Sequence, residues 1–195
     1  MHLIKKLALL ALISLLALPT LAGPLDLHGV KVEDSMTVNN IKLPLNGAGT
    51  RFKAGIFKVY VAALYAGTPA GNADELVNQA GPKRLSITML RDIDAAELGK
   101  LLTRGMEDNT SKSEMSKLIP GLLRMSQIFS TQKKMLAGDL FLIDWMPGTG
   151  SVITVKGHVQ GEPFKEAEFF KALMSIWLGP VPADLKLKEA LLRIK

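Results

Sequence analysis

One stretch, residues 45–65, constrains the fold most strongly, because two extended segments follow each other there with only a tight turn between them. The turn is predicted at Gly55 and Ile56, since glycine in the first place of a two-residue loop readily adopts the positive φ of a type II′ turn. Pairing in an antiparallel hairpin runs at a constant sum of positions, so the turn fixes the register. Arg51 is therefore predicted to lie directly opposite Tyr60.

The face of this hairpin that carries Arg51 and Tyr60 changes character along its length. By alternation the same face continues with Ala62 and Leu64, so its polar end meets an apolar end. A guanidinium can hold a carboxylate through two hydrogen bonds, and a phenol adds a third donor. The pair predicts a site for an anion with an apolar tail. The alternative is a hydrated surface arginine, the commoner environment of arginine on a hairpin.

The N-terminus has the pattern of a secretory signal peptide over residues 1–22. Two lysines precede an apolar run over residues 7–18, and small residues up to Ala22 offer a cleavage site. Cleavage after Ala22 would leave residues 23–195 as one domain, without an integral membrane segment, in the periplasm or outside the cell. The alternative of an uncleaved anchor is disfavoured, because the run is shorter than the roughly 20 residues of a spanning helix.

Composition argues against several classes of function. Signal cleavage removes two of the 24 Lys and Arg residues and leaves the number of Asp and Glu residues at 18, so the mature chain is only mildly basic. Its Lys and Arg residues are not interleaved with aromatic residues, as they are in nucleic-acid binding surfaces. The chain has no cysteine and hence no disulfides. His28 and His158 are too far apart in sequence to suggest a metal site. No nucleic acid, metal or cofactor is therefore predicted.

Other motifs have predicted local roles. The Gly-Ala-Gly run that starts at Gly47 lacks the rest of a dinucleotide fingerprint and is predicted to form a tight turn. Asp144 follows apolar residues in a predicted strand, so it is either buried with a raised pKa, or solvated or bonded to a neighbouring backbone group. Asp74 and Asp94 are predicted to cap helices. Pro120 is predicted to kink or split another helix.

The order of the predicted elements indicates the fold class. Strands come first, paired helices occupy the middle of the chain, and a hairpin and further helices complete it. This order predicts an α+β fold in which a helical layer packs on one side of an antiparallel sheet.

Three segments resemble the chalcone isomerase superfamily, in particular its exported bacterial branch. They are residues 47–51 (GAGTR), residues 58–65 (KVYVAALY) and residues 170–179 (FKALMSIWLG). The resemblance implies an open-faced β-sandwich over residues 23–195, in which a ligand cleft lies between a large antiparallel sheet and a layer of helices.

The resemblance also implies which positions matter. In catalytic members an arginine after the glycine run binds the substrate, and four further polar residues polarise its ketone or complete the pocket. The arginine position holds Arg51 here, whereas the other four fall at or near Tyr60, Leu98, Gly105 and Ile176. Loss of several polar groups at once argues against efficient cyclisation. An arginine with a tyrosine opposite it is similar to the fatty-acid-binding, non-catalytic branch.

The predicted function is therefore non-catalytic binding of a fatty acid or similar amphiphilic anion by a monomer. The predicted ligand-binding residues are Arg51, Tyr60, Ala62, Leu64, Leu98, Leu102, Leu173 and Trp177. One alternative is an isomerase or intramolecular lyase acting on an unknown substrate. A second alternative is an envelope structural or partner-binding protein with a closed cleft.

Overall fold

The computed structural model of the chain describes residues 24–194, so the predicted signal peptide lies outside the described residues. The strands in this range are β1 (Leu25–Leu27), β2 (Val30–Val32), β3 (Ser35–Val38), β4 (Ile41–Lys53), β5 (Phe57–Ala66), β6 (Lys83–Met89), β7 (Ile93–Asp94), β8 (Lys134–Met135), β9 (Leu140–Met146), β10 (Gly150–Val155) and β11 (His158–Val159). The helices are α1 (Ala73–Asn78), α2 (Ala95–Glu107), α3 (Lys112–Ser130), α4 (Ala167–Leu178) and α5 (Leu185–Leu191).

One antiparallel sheet dominates the fold. Its strand order is β11, β10, β9, β6, β5, β4 and β3, while β1 pairs with β2 and β7 pairs with β8 in two small ladders. Side chains of the helices share the larger apolar core with β5, β6, β9 and β10. The predicted α+β architecture, an antiparallel sheet packed by a helical layer, is confirmed.

Strand β5 lies at the centre of the packing because both of its faces are buried. Tyr60, Ala62 and Leu64 point into the core beneath the helices. The alternate residues of β5 point into a smaller core on the other face, which β2, β3 and β4 close; they are Val61, Ala63 and Tyr65. This alternation is the period of two that a strand buried on both faces must have.

The hairpin between β4 and β5 differs from the prediction at its turn but not at its base. Ala54 and Gly55 both have positive φ, 53° and 72°, which makes them the central pair of a type I′ turn. The predicted type II′ turn one residue further on is therefore wrong. Val59 is an extra residue in β5 that shifts the register by one and restores the predicted pairing of Arg51 with Tyr60.

The predicted tight turn at Gly47 is also wrong, because this glycine lies inside β4. It permits close packing instead: a Cβ atom on Gly47 would lie 2.2 Å from the carbonyl oxygen of Ala190 in α5. The preceding residue, Asn46, is buried and its amide Nδ2 donates to the carbonyl of Leu191 at 2.7 Å. The backbones of strand β4 and the last helix therefore pack directly against each other, and a side-chain hydrogen bond joins the two elements.

The helix boundaries confirm some predictions and correct others. Asp94 caps α2 by accepting from the backbone N–H of Glu97 at 3.0 Å, as predicted. Asn72, not Asp74, caps α1, because its side chain lies at the position from which it can accept a first-turn N–H. Pro120 does not split α3, which is continuous. Proline has no N–H, so the carbonyl four residues before Pro120 lacks its helical hydrogen bond. Because this part of the helix faces solvent, water can donate to that carbonyl.

Asp144 is buried, and it forms an ion pair with Arg84 across β6 and β9. The Nε atom of Arg84 donates to one carboxylate oxygen and a terminal nitrogen donates to the other, both at 2.6 Å. The hydrogen bond to Asp144 is the main reason that the pKa of Arg84 is raised. This arginine is fully engaged within the fold, which makes it a useful reference for Arg51.

Candidate functional site

Arg51 and Tyr60 form the centre of the candidate site. They are directly paired between β4 and β5, as the register predicted, and the Cζ atom of Arg51 lies 5.6 Å from the centroid of the Tyr60 ring. A cation at this distance is attracted by the negative face of the ring. The pair therefore holds the guanidinium against an aromatic surface at the boundary between sheet and helices.

Trp177 of α4 completes the environment of the phenol. Its Nε1 atom donates a hydrogen bond of 2.8 Å to the Tyr60 hydroxyl, and both side chains are buried. Within residues 24–194 the hydroxyl has no hydrogen-bond acceptor for its own proton. Tyr60 can therefore accept from Trp177 and still donate to an anion beside it.

Burial raises the pKa of Tyr60 to about 12, although nearby Arg51 and the hydrogen bond from Trp177 oppose the rise. Asp184 adds a smaller upward contribution. Both carboxylate oxygens of Asp184 accept backbone N–H groups, from Phe52 at 2.9 Å and Leu187 at 3.1 Å. Tyr60 is consequently a neutral hydrogen-bond donor at physiological pH.

Arg51 is incompletely satisfied within the fold. Its Nε atom is buried and has no hydrogen-bond partner in the described part of the chain. No carboxylate there lies within 4 Å of its guanidinium, in contrast to Arg84, which Asp144 binds in bidentate fashion. The described residues therefore leave part of the hydrogen-bonding capacity of this guanidinium unused.

A cavity of about 250 Å³ opens beside this pair, between the sheet and helices α2 and α4. Its lining residues are Arg51, Tyr60, Ile87, Leu98, Leu101, Leu102, Arg104, Gly105, Asp108, Phe141, Ile176, Trp177, Val181, Pro182 and Ala183. The walls are mainly aliphatic and aromatic, and the polar groups lie at the Arg51 end and on one side of α2. The cavity thus combines an apolar body with a few fixed polar groups, as ligand pockets do.

Five of the eight predicted ligand-binding residues line this cavity, namely Arg51, Tyr60, Leu98, Leu102 and Trp177. The other three, Ala62, Leu64 and Leu173, are not among its lining residues and are fully buried in the main core. Ala62 and Leu64 share the face of Tyr60 but lie two and four residues further along β5, where other side chains cover them.

All five positions that the family resemblance singled out line the same cavity. They are Arg51, Tyr60, Leu98, Gly105 and Ile176. A Cβ atom at Gly105 would lie 2.9 Å from the Cγ2 atom of Ile176, so these two positions are in close contact. Arg51 and Tyr60 are the members of this set that carry polar side-chain groups.

The sequence reasoning missed the exposed rim of the cavity. Arg104 and Asp108 form an i,i+4 ion pair there, with the Arg104 Nε and the Asp108 carboxylate 3.8 Å apart. The helical spacing from Leu98 and Leu101 could have identified this side of α2. No periodic signal marks residues 181–183, which reach the cavity because the backbone N–H of Ala183 donates to the carbonyl of Ile176 at 2.8 Å.

We expect both tyrosines of the chain, Tyr60 and Tyr65, to ionise far above pH 10 in the folded state. Burial raises each pKa to about 12, whereas an unfolded phenol ionises near pH 10. The folded pKa is the higher one, so the stabilisation is complete below pH 10 and is lost as the pH rises to 12. For Tyr60 the loss is roughly 2 to 3 kcal/mol.

Tyrosinate absorbance followed against pH tests this expectation, because the chain has only two tyrosines. The native protein should show almost no tyrosinate at pH 10, and the Tyr60→Phe variant should retain half of the final amplitude at high pH. A half-amplitude step near pH 10 in the folded wild type, absent from that variant, would contradict the burial of Tyr60.

Comparisons with known proteins agree with the fold. The model of the protein family described as chalcone isomerase-like matches residues 24–193. No curated protein sequence matches the chain. The crystal structure of a fatty-acid binding protein from Arabidopsis thaliana is similar, with 14% identity, a TM-score of 0.65, and coverage of 84% of this chain and 92% of that chain. Among the helices of residues 24–194, none has both the length and the hydropathy to cross a bilayer.

Proposed function

The chain belongs to the chalcone isomerase-like family, and from this membership we propose that it binds a fatty acid or a similar amphiphilic anion without transforming it. One observation carries the proposal: the guanidinium of Arg51, whose Nε has no hydrogen-bond partner among residues 24–194, lies beside a neutral phenol at the polar end of an apolar cavity. A carboxylate satisfies both groups, because it has two oxygens and accepts several hydrogen bonds.

In the proposed complex the carboxylate lies between Arg51 and Tyr60. Arginine stays charged at any physiological pH and Tyr60 stays protonated, so the two supply a cation and a neutral donor to the same anion. The apolar tail extends along the apolar side chains that line the cavity, including Leu98, Leu102 and Phe141. Burial of the tail provides the main driving force, while the polar pair sets its orientation.

The composition of the cavity supports binding over isomerisation. The positions that resemble catalytic ones hold Leu98, Gly105 and Ile176, which cannot polarise a carbonyl group. Tyr60 has a pKa of about 12, well above the range in which a general acid works efficiently at neutral pH. The name of the similar Arabidopsis protein, a fatty-acid binding protein, supports the same class of ligand.

We place this binding activity in the periplasm or outside the cell, in the exported bacterial branch of the family. The support is the signal peptide pattern of residues 1–22. A carrier in that compartment would shield the apolar tail of an amphiphile from water while the molecule passes between membranes or enzymes.

We expect dodecanoate to bind in this cavity and to change the fluorescence of Trp177, because that indole lines the cavity and bonds Tyr60. A Trp145→Phe background isolates the signal, since Trp145 stacks on Phe170 with ring centroids 5.1 Å apart and is not a lining residue. Native mass spectrometry of protein purified without added ligand should show a co-purifying acyl chain.

The matched control is methyl dodecanoate, which has the same tail but no charge. It should bind at least about tenfold more weakly, because an ester carries no charge and accepts hydrogen bonds from Arg51 less strongly than a carboxylate does. Equal binding of acid and ester, or an unchanged Trp177 signal with both, would mean that the proposed site is wrong.

A further inference from the structure

The tip of the β4–β5 hairpin exposes two large apolar side chains to solvent. Ile56 is 70% exposed and Phe57 is 53% exposed. Lys53 and Lys58, both exposed, flank them in sequence. Ile56 and Phe57 directly follow the central pair of the turn, Ala54 and Gly55. Two adjacent, exposed, large apolar residues at a hairpin tip indicate an interaction surface.

The base of the tip is fixed to the rest of the fold on both sides of the sheet. The backbone N–H of Phe52 donates to Asp184 at 2.9 Å, which anchors this end of β4 to the start of α5. The ring of Phe52 packs edge-on against His28, with centroids 6.3 Å apart. The tip therefore projects from a defined place beside Arg51.

This place lies next to the candidate ligand site. A second cavity, of about 200 Å³, is lined by Lys53 and shares Arg51 and Leu101 with the ligand cavity. An amphiphile that leaves a lipid surface at the tip thus has a short path to the guanidinium.

The charges around the tip favour a negatively charged partner. No carboxylate of the described residues lies within 4 Å of the Lys58 ammonium. Lys53 has one acidic neighbour, Glu97, at 4.0 Å, and both side chains are more than half exposed. Asp92 and Asp94 line the second cavity behind it. An exposed pair such as Lys53 and Glu97 is weak, so a phosphate can replace the carboxylate.

We propose that this tip docks on an anionic lipid surface. Ile56 and Phe57 enter the boundary between headgroups and acyl chains, and Lys53 and Lys58 contact the lipid phosphates. Apolar burial and attraction of lysine to anionic lipid act together, as they do in other proteins that lie on membranes without spanning them. The docking surface is independent of which ligand the cavity holds.

Sedimentation with vesicles tests the proposal, on protein whose mature N-terminus is verified by mass spectrometry. The wild type should partition onto phosphatidylglycerol vesicles and much less onto phosphatidylcholine vesicles. Ile56→Ser with Phe57→Ser should reduce partitioning at least about tenfold. Lys53→Gln with Lys58→Gln should reduce it about tenfold at low salt and less at high salt.

The matched control is Val159→Ser, which removes an apolar side chain from β11, at the opposite edge of the sheet from β3. The exposed fraction of Val159, 63%, lies between those of Ile56 and Phe57. It should partition like the wild type, and thermal unfolding should show that every variant is folded. Absence of partitioning by the wild type on both vesicles would overturn the proposal and favour a protein partner at the tip. Equal losses in the Val159 and tip variants would also overturn it. Dodecanoate binding, measured separately without vesicles, should be unchanged in the Ile56/Phe57 variant.

Discussion

We expect the Arg51→Met variant to bind dodecanoate at least about thirtyfold more weakly than the wild type, since losing one partner of a buried charged pair costs roughly 2 kcal/mol or more. Methionine keeps much of the length and apolar volume of arginine but removes every donor. The ligand carboxylate then keeps only the Tyr60 hydroxyl, and part of its charge is buried without compensation. Fluorescence titration of Trp177 measures the change.

Arg104→Met is the matched control, because Arg104 lines the same cavity but its side chain is 78% exposed and, within residues 24–194, pairs only with Asp108. Its replacement should alter the affinity less than about threefold, since exposed ion pairs contribute little. If both variants lose the same affinity, the carboxylate is held by the general positive charge of the cavity rim and not by Arg51.

The second large effect concerns stability. We expect Gly47→Ala to lower the free energy of unfolding by about 3 kcal/mol, because its methyl group would lie 2.2 Å from the Ala190 carbonyl oxygen and 2.6 Å from that of Leu191. Both atoms belong to the backbone, so relief requires α5 to move away from β4. Such a movement also weakens the 2.7 Å hydrogen bond from Asn46 to Leu191. Urea unfolding provides the measurement.

Gly67→Ala is the control for the Gly47 variant. A Cβ atom at Gly67 has no atom within 4 Å, so this substitution adds the same methyl group without a steric conflict. Its free energy of unfolding should stay within about 0.5 kcal/mol of the wild type. Equal free energies of unfolding of the two variants would show that α5 is not closely packed against β4 at Gly47.

The pairing of Arg51 with Tyr60 could be predicted from sequence, although the turn that was used to derive it is wrong. The prediction relied on glycine preferring the first place of a two-residue loop, whereas Ala54 adopts a positive φ of 53° and moves the turn back by one residue. Alternation does not reveal a bulge, so the compensating residue Val59 had no sequence signal. The two errors cancel at the site.

The lining of the cavity was predictable only in part, and the reason is geometric. A period of two says which residues of β5 face the helices, but it does not say how far along the strand a cavity extends. Ala62 and Leu64 were therefore predicted with Tyr60, although side chains of the main core cover them. The segment over residues 181–183 reaches the cavity through a long-range backbone hydrogen bond to Ile176, which no local pattern encodes.

The extra residue at Val59 separates the hairpin tip from the residues below it. Because the register changes between Phe52 and Arg51, the pairs nearest the tip are offset by one residue from the pair of Arg51 and Tyr60. Substitutions that alter the apolar or charged character of the tip therefore need not displace the guanidinium and the phenol. The hairpin is in this sense modular, so that the proposed surface attachment and the proposed ligand binding can change separately on the same two strands.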